Sequence, residues 1–165
     1  MNTIYFKKWA SPVCDLYFYA DDEGLLILAF KDTHEKLATA RDITKVSKAT
    51  SPIIEATIKQ LEEYFSGKRR KFELPLKPTG TDFQKNAWKE LGRIPFGGTL
   101  SYSQQAKRID SANAVRAIGS ANGKNPISIV VPCHRVITQS GKISGYAGGP
   151  EVKRKLLQLE GISLK

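Results

Sequence analysis

The sequence predicts an α+β chain in two parts, the first built from strands and a helix and the second mostly helical. Short apolar runs separated by turn residues fill residues 3–30, which is typical of a small antiparallel sheet. Apolar residues at helical spacing, with start and stop signals, dominate after residue 81. The composition of Lys77–Gly80 indicates a linker, so we expect domains at residues 1–77 and 78–165.

The first part contains three predicted strands followed by a helix. The strands are Ile4–Phe6, Val13–Ala20 and Leu25–Phe30. In the second strand, core-type side chains alternate with polar and tyrosine side chains, so we expect one of its faces to lie in the core. After a polar stretch, a helix is predicted from Pro52 to a stop at Gly67.

The second part opens with a helix that follows a capping-box pair, Thr81 and Gln84. Ser101 and Gln104 have the same spacing and open a short second helix. The last predicted helix spans 150–160, with a proline at its start and a glycine just after its end.

A helix-turn-helix is predicted in the middle of the second part. A turn at 109–110 joins the short helix to a longer one over 111–121, although other helical hairpins share this pattern. The longer helix carries small residues, among them Ala114 and Ala117, on both sides of Arg116. Small side chains permit close approach, either to another helix or to DNA.

The most informative segment is Ile129–Ile137, in which Cys133, His134 and Arg135 are consecutive behind a proline. Its aliphatic flanks predict burial, and burial of a thiol raises its pKa. Because the thiolate is the nucleophilic form, an adjacent histidine is useful as a base or as a positive charge. A core cysteine beside a structural histidine is the alternative interpretation.

The charge distribution, the cysteine and histidine content and the apolar runs of the sequence limit the classes of function that the chain can have. The net charge is +10, and residues 81–165 hold 13 basic and 5 acidic residues, whereas residues 1–80 hold 13 and 11. This asymmetry favours a polyanionic partner, although positive charge also serves solubility. Cys14, Cys133 and two histidines give neither a disulfide framework nor metal-binding spacing, so no metal is expected. No apolar run suits a membrane span or a leader, which predicts a cytoplasmic protein, or a nuclear one in a eukaryote.

Six further blocks surround the cysteine in a fixed order. They are Arg93–Gly97, Leu100–Tyr102, Ala114–Gly119, Ala121–Pro126, Gly145–Gly149 and Leu157–Gly161. With Pro132–Arg135 among them, the chain from about Thr81 to Gly161 resembles the O(6)-alkylguanine–DNA alkyltransferases, also called methylated-DNA–protein-cysteine methyltransferases. The N-terminal part resembles the family more loosely. The resemblance implies a ribonuclease-H-like sheet domain followed by a winged-helix-like domain with a helix-turn-helix.

The resemblance implies repair of double-stranded DNA by direct, irreversible transfer of an alkyl group to Cys133. The donor atom would be O6 of guanine, with O4 of thymine as a further candidate. It implies that His134 takes the thiol proton through a water, that Glu160 orients the imidazole and that Asn125 braces the site. Each molecule would react once, as a monomer, without a metal or a small-molecule cofactor.

The resemblance also implies that the target base is flipped out of the duplex through the minor groove. Arg116 would fill the vacated stack, and Tyr102 would crowd the target phosphate and hydrogen-bond the flipped base. The other predicted DNA-facing residues are Ala114, Ala117 and Arg135. The predicted substrate contacts are Tyr102, Val136, Tyr146, Ala147 and Gly148. The carbonyl of Val136 would read the guanine amino group, and the amide of Ala147 would donate to the guanine oxygen.

Three other functions fit parts of the sequence. A non-enzymatic damage-binding relative would keep Arg116 but would not need Cys133. A cysteine hydrolase usually needs a distant histidine, and the chain offers only His34 besides His134. A transcription-regulating helix-turn-helix protein would leave the Cys-His-Arg sequence unexplained.

Overall fold

The structure, a computed structural model, describes residues 2–164. The chain divides into two compact units, Met1–Thr79 and Gly80–Lys165. Among the described residues, the first unit contains a three-stranded sheet and two helices, and the second contains four helices and a two-stranded sheet. The predicted α+β class is therefore confirmed. Within the same residues, no helix is both long and apolar enough to cross a membrane.

The first unit is built on an antiparallel sheet with its strands in sequence order. The strands are β1 (Tyr5–Ala10), β2 (Asp15–Ala20) and β3 (Leu25–Ala29). Polar side chains close both connecting turns. The hydroxyl of Ser11 accepts from the amide of Cys14 at 3.1 Å, and the carboxylate of Asp21 accepts from the amide of Gly24 at 2.9 Å.

The predicted core face of β2 is buried, and the opposite face of this central strand is covered as well. Tyr17 and Tyr19, on the face expected to be polar, are buried. They pack against His34, whose ring stacks on Tyr17 with centroids 3.9 Å apart and whose Nδ1 lies 2.8 Å from the Tyr19 hydroxyl. His34 opens a helix, α1 (His34–Ala40), that the sequence did not reveal. It has only seven residues, and its N-cap residue, Thr33, makes no side-chain cap, so its start signal is weak.

The second helix of this unit, α2 (Pro52–Phe65), agrees with its predicted start and stop. Ser51 caps it by accepting from the amide of Ile54 at 3.2 Å. Just after its end, Gly67 has a φ of 80°, a left-handed conformation that glycine adopts without steric cost.

The second unit contains four helices and a short parallel sheet among its described residues. The helices are α3 (Asp82–Leu91), α4 (Tyr102–Arg108), α5 (Val115–Gly123) and α6 (Pro150–Leu159), and the strands are β4 (Leu100–Ser101) and β5 (Val136–Ile137). Both predicted capping boxes form. The side chains of Thr81 and Ser101 accept from the amides of Gln84 and Gln104 at 3.1 and 3.2 Å.

The helix-turn-helix is α4 and α5, but α5 begins at Val115 rather than at Ser111 as predicted. Asp110 has a φ of 55°, and the amide of Ala114 closes a turn onto the Ser111 carbonyl at 2.8 Å, so the chain makes an extra turn before the helix begins. Buried amides then join the two helices. Gln105 and Asn122 exchange side-chain hydrogen bonds of 2.9 and 2.8 Å. This pairing fixes the face that α5 turns inward.

Candidate active site

The loop that precedes Cys133 is held by internal hydrogen bonds. The side chain of Asn125 is buried, donates to the carbonyl of Val131 at 2.8 Å and accepts from the amide of Ile127 at 3.0 Å. Between these contacts, Ile129 has a φ of 70°, a conformation that a β-branched residue rarely adopts. The surrounding hydrogen bonds hold this strained backbone and place Cys133 in a single 3-10 turn, Cys133–Arg135.

The Cys133 side chain lies at a cavity of about 400 Å³ and is 8% exposed. The residues around the cavity are Tyr102, Gly119, Asn122, Gly123, Cys133, Gly145, Tyr146 and Ala147. Burial raises the pKa of the Cys133 thiol, while a hydrogen bond from Asn125 and the charge of Lys153 act in the opposite direction. The thiol is thus accessible to a small group in the cavity, and it needs help to ionise.

His134 and Glu160 form a buried pair behind the cysteine. Nε2 of His134 lies 2.7 Å from Oε2 of Glu160, and both side chains are fully buried. Because a carboxylate only accepts, Nε2 carries the ring proton, which leaves Nδ1 with a lone pair. Within residues 2–164, Nδ1 has no hydrogen-bonding partner. Burial lowers the pKa of His134, with Glu160 opposing the effect, so the imidazole is neutral and can serve as a base.

The structure replaces the predicted DNA contact of Arg135 with an internal ion pair. Arg135 is 6% exposed and donates two hydrogen bonds to the carboxylate of Glu160, from Nε at 2.7 Å and from Nη2 at 3.1 Å. Its Nη1 donates to the carbonyl of Ile94 at 2.7 Å. A carboxylate buried beside a neutral histidine needs a balancing charge, and Arg135 supplies it.

Lys153, a lysine of α6 that no predicted motif included, is 1% exposed. Its Nζ donates to the carbonyl of Val136 at 2.7 Å and to the hydroxyl of Ser144 at 3.0 Å. One sequence signal could have found it. Lys153 precedes Glu160 by two helical turns, and both align with the apolar stripe formed by Leu156 and Leu157, so the pattern places two charged residues on the buried face.

The predicted substrate contacts are brought together only in part. Tyr102, at the start of α4, hydrogen-bonds the hydroxyl of Ser144 in the loop that follows β5. Tyr146 and Ala147 of the same loop line the cavity, whereas Gly148 and Val136 do not. The amide of Gly149 donates to the Tyr146 carbonyl at 2.9 Å, which bends the loop over the cavity wall.

The α5 helix carries exposed residues next to residues that line the cavity. Arg116 and Ala117 are exposed and Ala114 is half-buried, while Ile118 points into the core. Val115, which the sequence analysis did not single out, is 39% exposed beside Arg116. The face carrying Gly119, Asn122 and Gly123 borders the cavity. Among residues 2–164, no cluster of three or more potential ligands is placed to hold a metal ion.

Comparison with known families accounts for nearly the whole chain. Residues 4–78 match the model of the "6-O-methylguanine DNA methyltransferase, ribonuclease-like domain", and residues 82–162 match that of the "6-O-methylguanine DNA methyltransferase, DNA binding domain". The chain belongs to this family. The predicted family and the predicted order of a ribonuclease-like part and a DNA-binding part are confirmed.

Relatives and solved structures agree with this assignment. The methylated-DNA–protein-cysteine methyltransferase of Methanosarcina mazei is 42% identical over 162 residues, which cover 98% of this chain and 100% of the relative. The crystal structure of Mycobacterium tuberculosis O6-methylguanine methyltransferase superposes with a TM-score of 0.83 at 39% identity, covering 96% of this chain and 93% of that one. The complex of Mycobacterium tuberculosis OGT with DNA gives a TM-score of 0.81 at 38% identity, covering 94% and 92%.

Proposed function

We propose that this chain repairs DNA by moving a methyl or other alkyl group from O6 of guanine to the sulfur of Cys133, once per molecule. One observation carries the proposal: the Cys133 side chain borders a cavity of about 400 Å³, and the next residue is a neutral imidazole held by a carboxylate. Family membership supplies the reaction class, which is alkyl transfer from DNA to a protein cysteine. The proposed site residues all lie in the predicted C-terminal domain, residues 78–165.

The chemistry is a single displacement at carbon. The thiol of Cys133 gives its proton, through a water, to Nδ1 of His134. The thiolate then attacks the alkyl carbon, so that a carbon–sulfur bond forms while the carbon–oxygen bond breaks. The electron pair stays with guanine, which takes up one proton as it leaves, and this uptake balances the proton that the thiol gave to His134. The resulting thioether cannot be displaced by any group in the site, so the reaction stops after one turnover.

Glu160 and Arg135 make His134 a base of the right tautomer. Glu160 fixes the proton on Nε2, so Nδ1 is the nitrogen that can accept. Arg135 balances the charge of the buried carboxylate, which keeps Glu160 an acceptor for the imidazole. The same arrangement of a nucleophile, a base and a group that orients the base activates thiol and hydroxyl nucleophiles in other enzymes.

Access to a base inside a duplex requires that the nucleotide leave the stack, at a cost of a few kcal/mol. Arg116 is exposed on the same nine-residue helix that carries Gly119 and Gly123, and at helical spacing these two cavity-lining residues lie next to Arg116. In our proposal Arg116 occupies the gap in the stack while the flipped base enters between Tyr102 and the loop at Tyr146. The small side chains of Ala114 and Ala117 let α5 approach the minor groove closely.

The described residues of one chain supply all the groups in this proposal, and we therefore propose that the protein acts as a monomer on double-stranded DNA containing alkylated guanine. The reaction consumes only the protein thiol and the alkyl group, so it needs no small-molecule cofactor. A reduced thiol and access to DNA are both required, which favours the cytoplasm of a prokaryote or the nucleus of a eukaryote.

The direct test is intact-protein mass measurement after incubation with a duplex that carries one O6-methylguanine. We expect the mass to rise by one methyl group in place of one hydrogen, and to stop there in excess substrate. Cys133→Ser should gain nothing while it still binds the duplex, because a serine hydroxyl is little ionised near neutrality. Cys14→Ser is the matched control and should react like the wild type. Multiple turnovers, or methylation of the Cys133→Ser variant, would overturn the proposal.

A further inference from the structure

Lys153 is a buried cation that has no role in the reaction steps proposed above. A lysine is almost never fully buried unless its charge is paired or hydrogen-bonded, because removing an ammonium from water is costly. Here two acceptors hold Nζ, the Val136 carbonyl at 2.7 Å and the Ser144 hydroxyl at 3.0 Å. Burial lowers the pKa of Lys153 to about 8, so the side chain remains largely charged near neutral pH.

The donor inventory limits the hydrogen bonds that Ser144 can make. An ammonium only donates, so the Ser144 oxygen must accept from Lys153. Ser144 then has its own proton to donate, and its other neighbour is the phenolic oxygen of Tyr102. A serine oxygen can accept a second hydrogen bond, so Ser144 can either donate this proton to Tyr102 or accept from it. When Ser144 donates, the O–H of Tyr102 is left to point elsewhere. Tyr102 lines the cavity beside Cys133, so that O–H is available to a group bound there.

Lys153 also acts on the nucleophile. Its charge favours ionisation of the Cys133 thiol against the opposing effect of burial. The other titratable or charged groups around the thiol are Tyr102, His134, Arg135, Tyr146 and Glu160. Of these, Arg135 is already paired with Glu160, whereas the bonds of Lys153 go to neutral oxygens. The positive charge of Lys153 is therefore not cancelled by an ion pair within residues 2–164.

We propose that Lys153 is a positioning residue for alkyl transfer: through Ser144 it turns the hydroxyl of Tyr102 toward the bound base, and by its charge it favours the Cys133 thiolate. In this arrangement Tyr102 donates a hydrogen bond to the departing purine, and Ser144 is the relay that orients it. The inference rests on the proposed function, because it assigns Tyr102 and Cys133 to that reaction.

The first test uses the relay, where substitution of Ser144 leaves Lys153 its hydrogen bond to the Val136 carbonyl. Ser144→Ala and Tyr102→Phe should each slow single-turnover transfer from an alkylguanine base roughly tenfold, the value of one lost hydrogen bond to the departing group. If the two hydroxyls act as one chain, the double variant should be about as slow as either single variant rather than a hundredfold slower. Ser140→Ala is the control, because Ser140 lies in the same loop and bonds only Thr138, at 3.0 Å. It should react like the wild type.

The second test separates positioning from folding. Lys153→Met keeps the length of the side chain but removes the charge, so the pH at which transfer reaches half its maximal rate should move upward. A purely structural role would lower the melting temperature without moving this midpoint. If Lys153→Met does not fold, the relay variants still decide the inference.

Wild-type rates in both Ser144→Ala and Tyr102→Phe, or multiplicative losses in the double variant, would overturn the relay. An unmoved pH midpoint in folded Lys153→Met would overturn the effect of charge. In either case the wild type would still become methylated, whereas failure of the proposed function would leave the wild type itself unmodified.

Discussion

The buried carboxylate of Glu160 offers the most demanding test of the site, through the substitution Glu160→Gln. The amide has the same shape as the carboxylate but accepts at only one end. In the structure, Oε1 accepts from Arg135 Nε at 2.7 Å and from the Gly97 amide at 3.3 Å, while Oε2 accepts from His134 Nε2 at 2.7 Å and from Arg135 Nη2 at 3.1 Å. Whichever way the glutamine turns, its NH₂ group meets a donor.

Two losses should follow. Arg135 becomes a buried cation without its counter-charge, and removing one partner of a buried ion pair typically costs about 3–5 kcal/mol of stability. If the NH₂ group faces His134, the imidazole must shift its proton to Nδ1 to accept from it, which removes the proposed base. General-base catalysis contributes on the order of 10²–10⁴ in rate, so transfer should fall by that factor.

The assay combines thermal or denaturant unfolding with single-turnover transfer from an alkylated duplex. Arg135→Met is the companion variant, since it removes the charge but leaves Glu160 free to bond His134. We expect Glu160→Gln to lose more transfer activity than Arg135→Met at a comparable loss of stability. A Glu160→Gln variant within about 0.5 kcal/mol of the wild type and with a normal rate would refute the assigned roles of both residues.

Three further outcomes are expected. Arg116→Ala should slow repair of duplex DNA far more than transfer from a free alkylguanine base, because only the duplex requires extrusion; equal losses in the two rate assays would place Arg116 in the chemistry or in folding instead. Gly119→Ala should stabilise α5 by about 0.5–1 kcal/mol, since a Cβ there meets no atom within 4 Å. Because that Cβ borders the cavity, transfer of bulky alkyl groups should slow more than methyl transfer, and a uniform rate across the size series would contradict this. Finally, burial holds the pKa values of His34 and His134 below their ordinary 6.5, so the unfolded chain binds protons first. The contribution of these two histidines to the free energy of unfolding is therefore present above pH 6.5. It is lost as the pH falls from 6.5 through their lowered pKa values in the folded state. A urea concentration at half unfolding that stays constant over this pH range would contradict the prediction.

Local signals in the sequence were sufficient to predict most of the helices and to single out Cys133 as the proposed nucleophile. The capping boxes at Thr81 and Ser101 form because each serves only the first turn of its own helix, so no distant residue is needed. The Cys133–His134 pair is likewise contiguous in the chain. Local signals did not predict the helix at His34, which has no side-chain cap. They also did not predict burial of the tyrosine face of β2, because that burial depends on which elements pack against the strand.

Tertiary packing alone decided how the charged residues around the cysteine are used. Glu160 lies 26 residues from His134 and 25 from Arg135 along the chain; the family resemblance implied its contact with His134, but no sequence pattern indicated its pairing with Arg135. The same packing turned Arg135 inward from its expected place at the DNA surface and buried Lys153 beside Ser144 and Val136. The physical reason is that a charged side chain cannot be buried alone. Its partner is whichever opposite charge or polar group the packed helices bring within hydrogen-bonding distance, and that distance exists only in the folded protein.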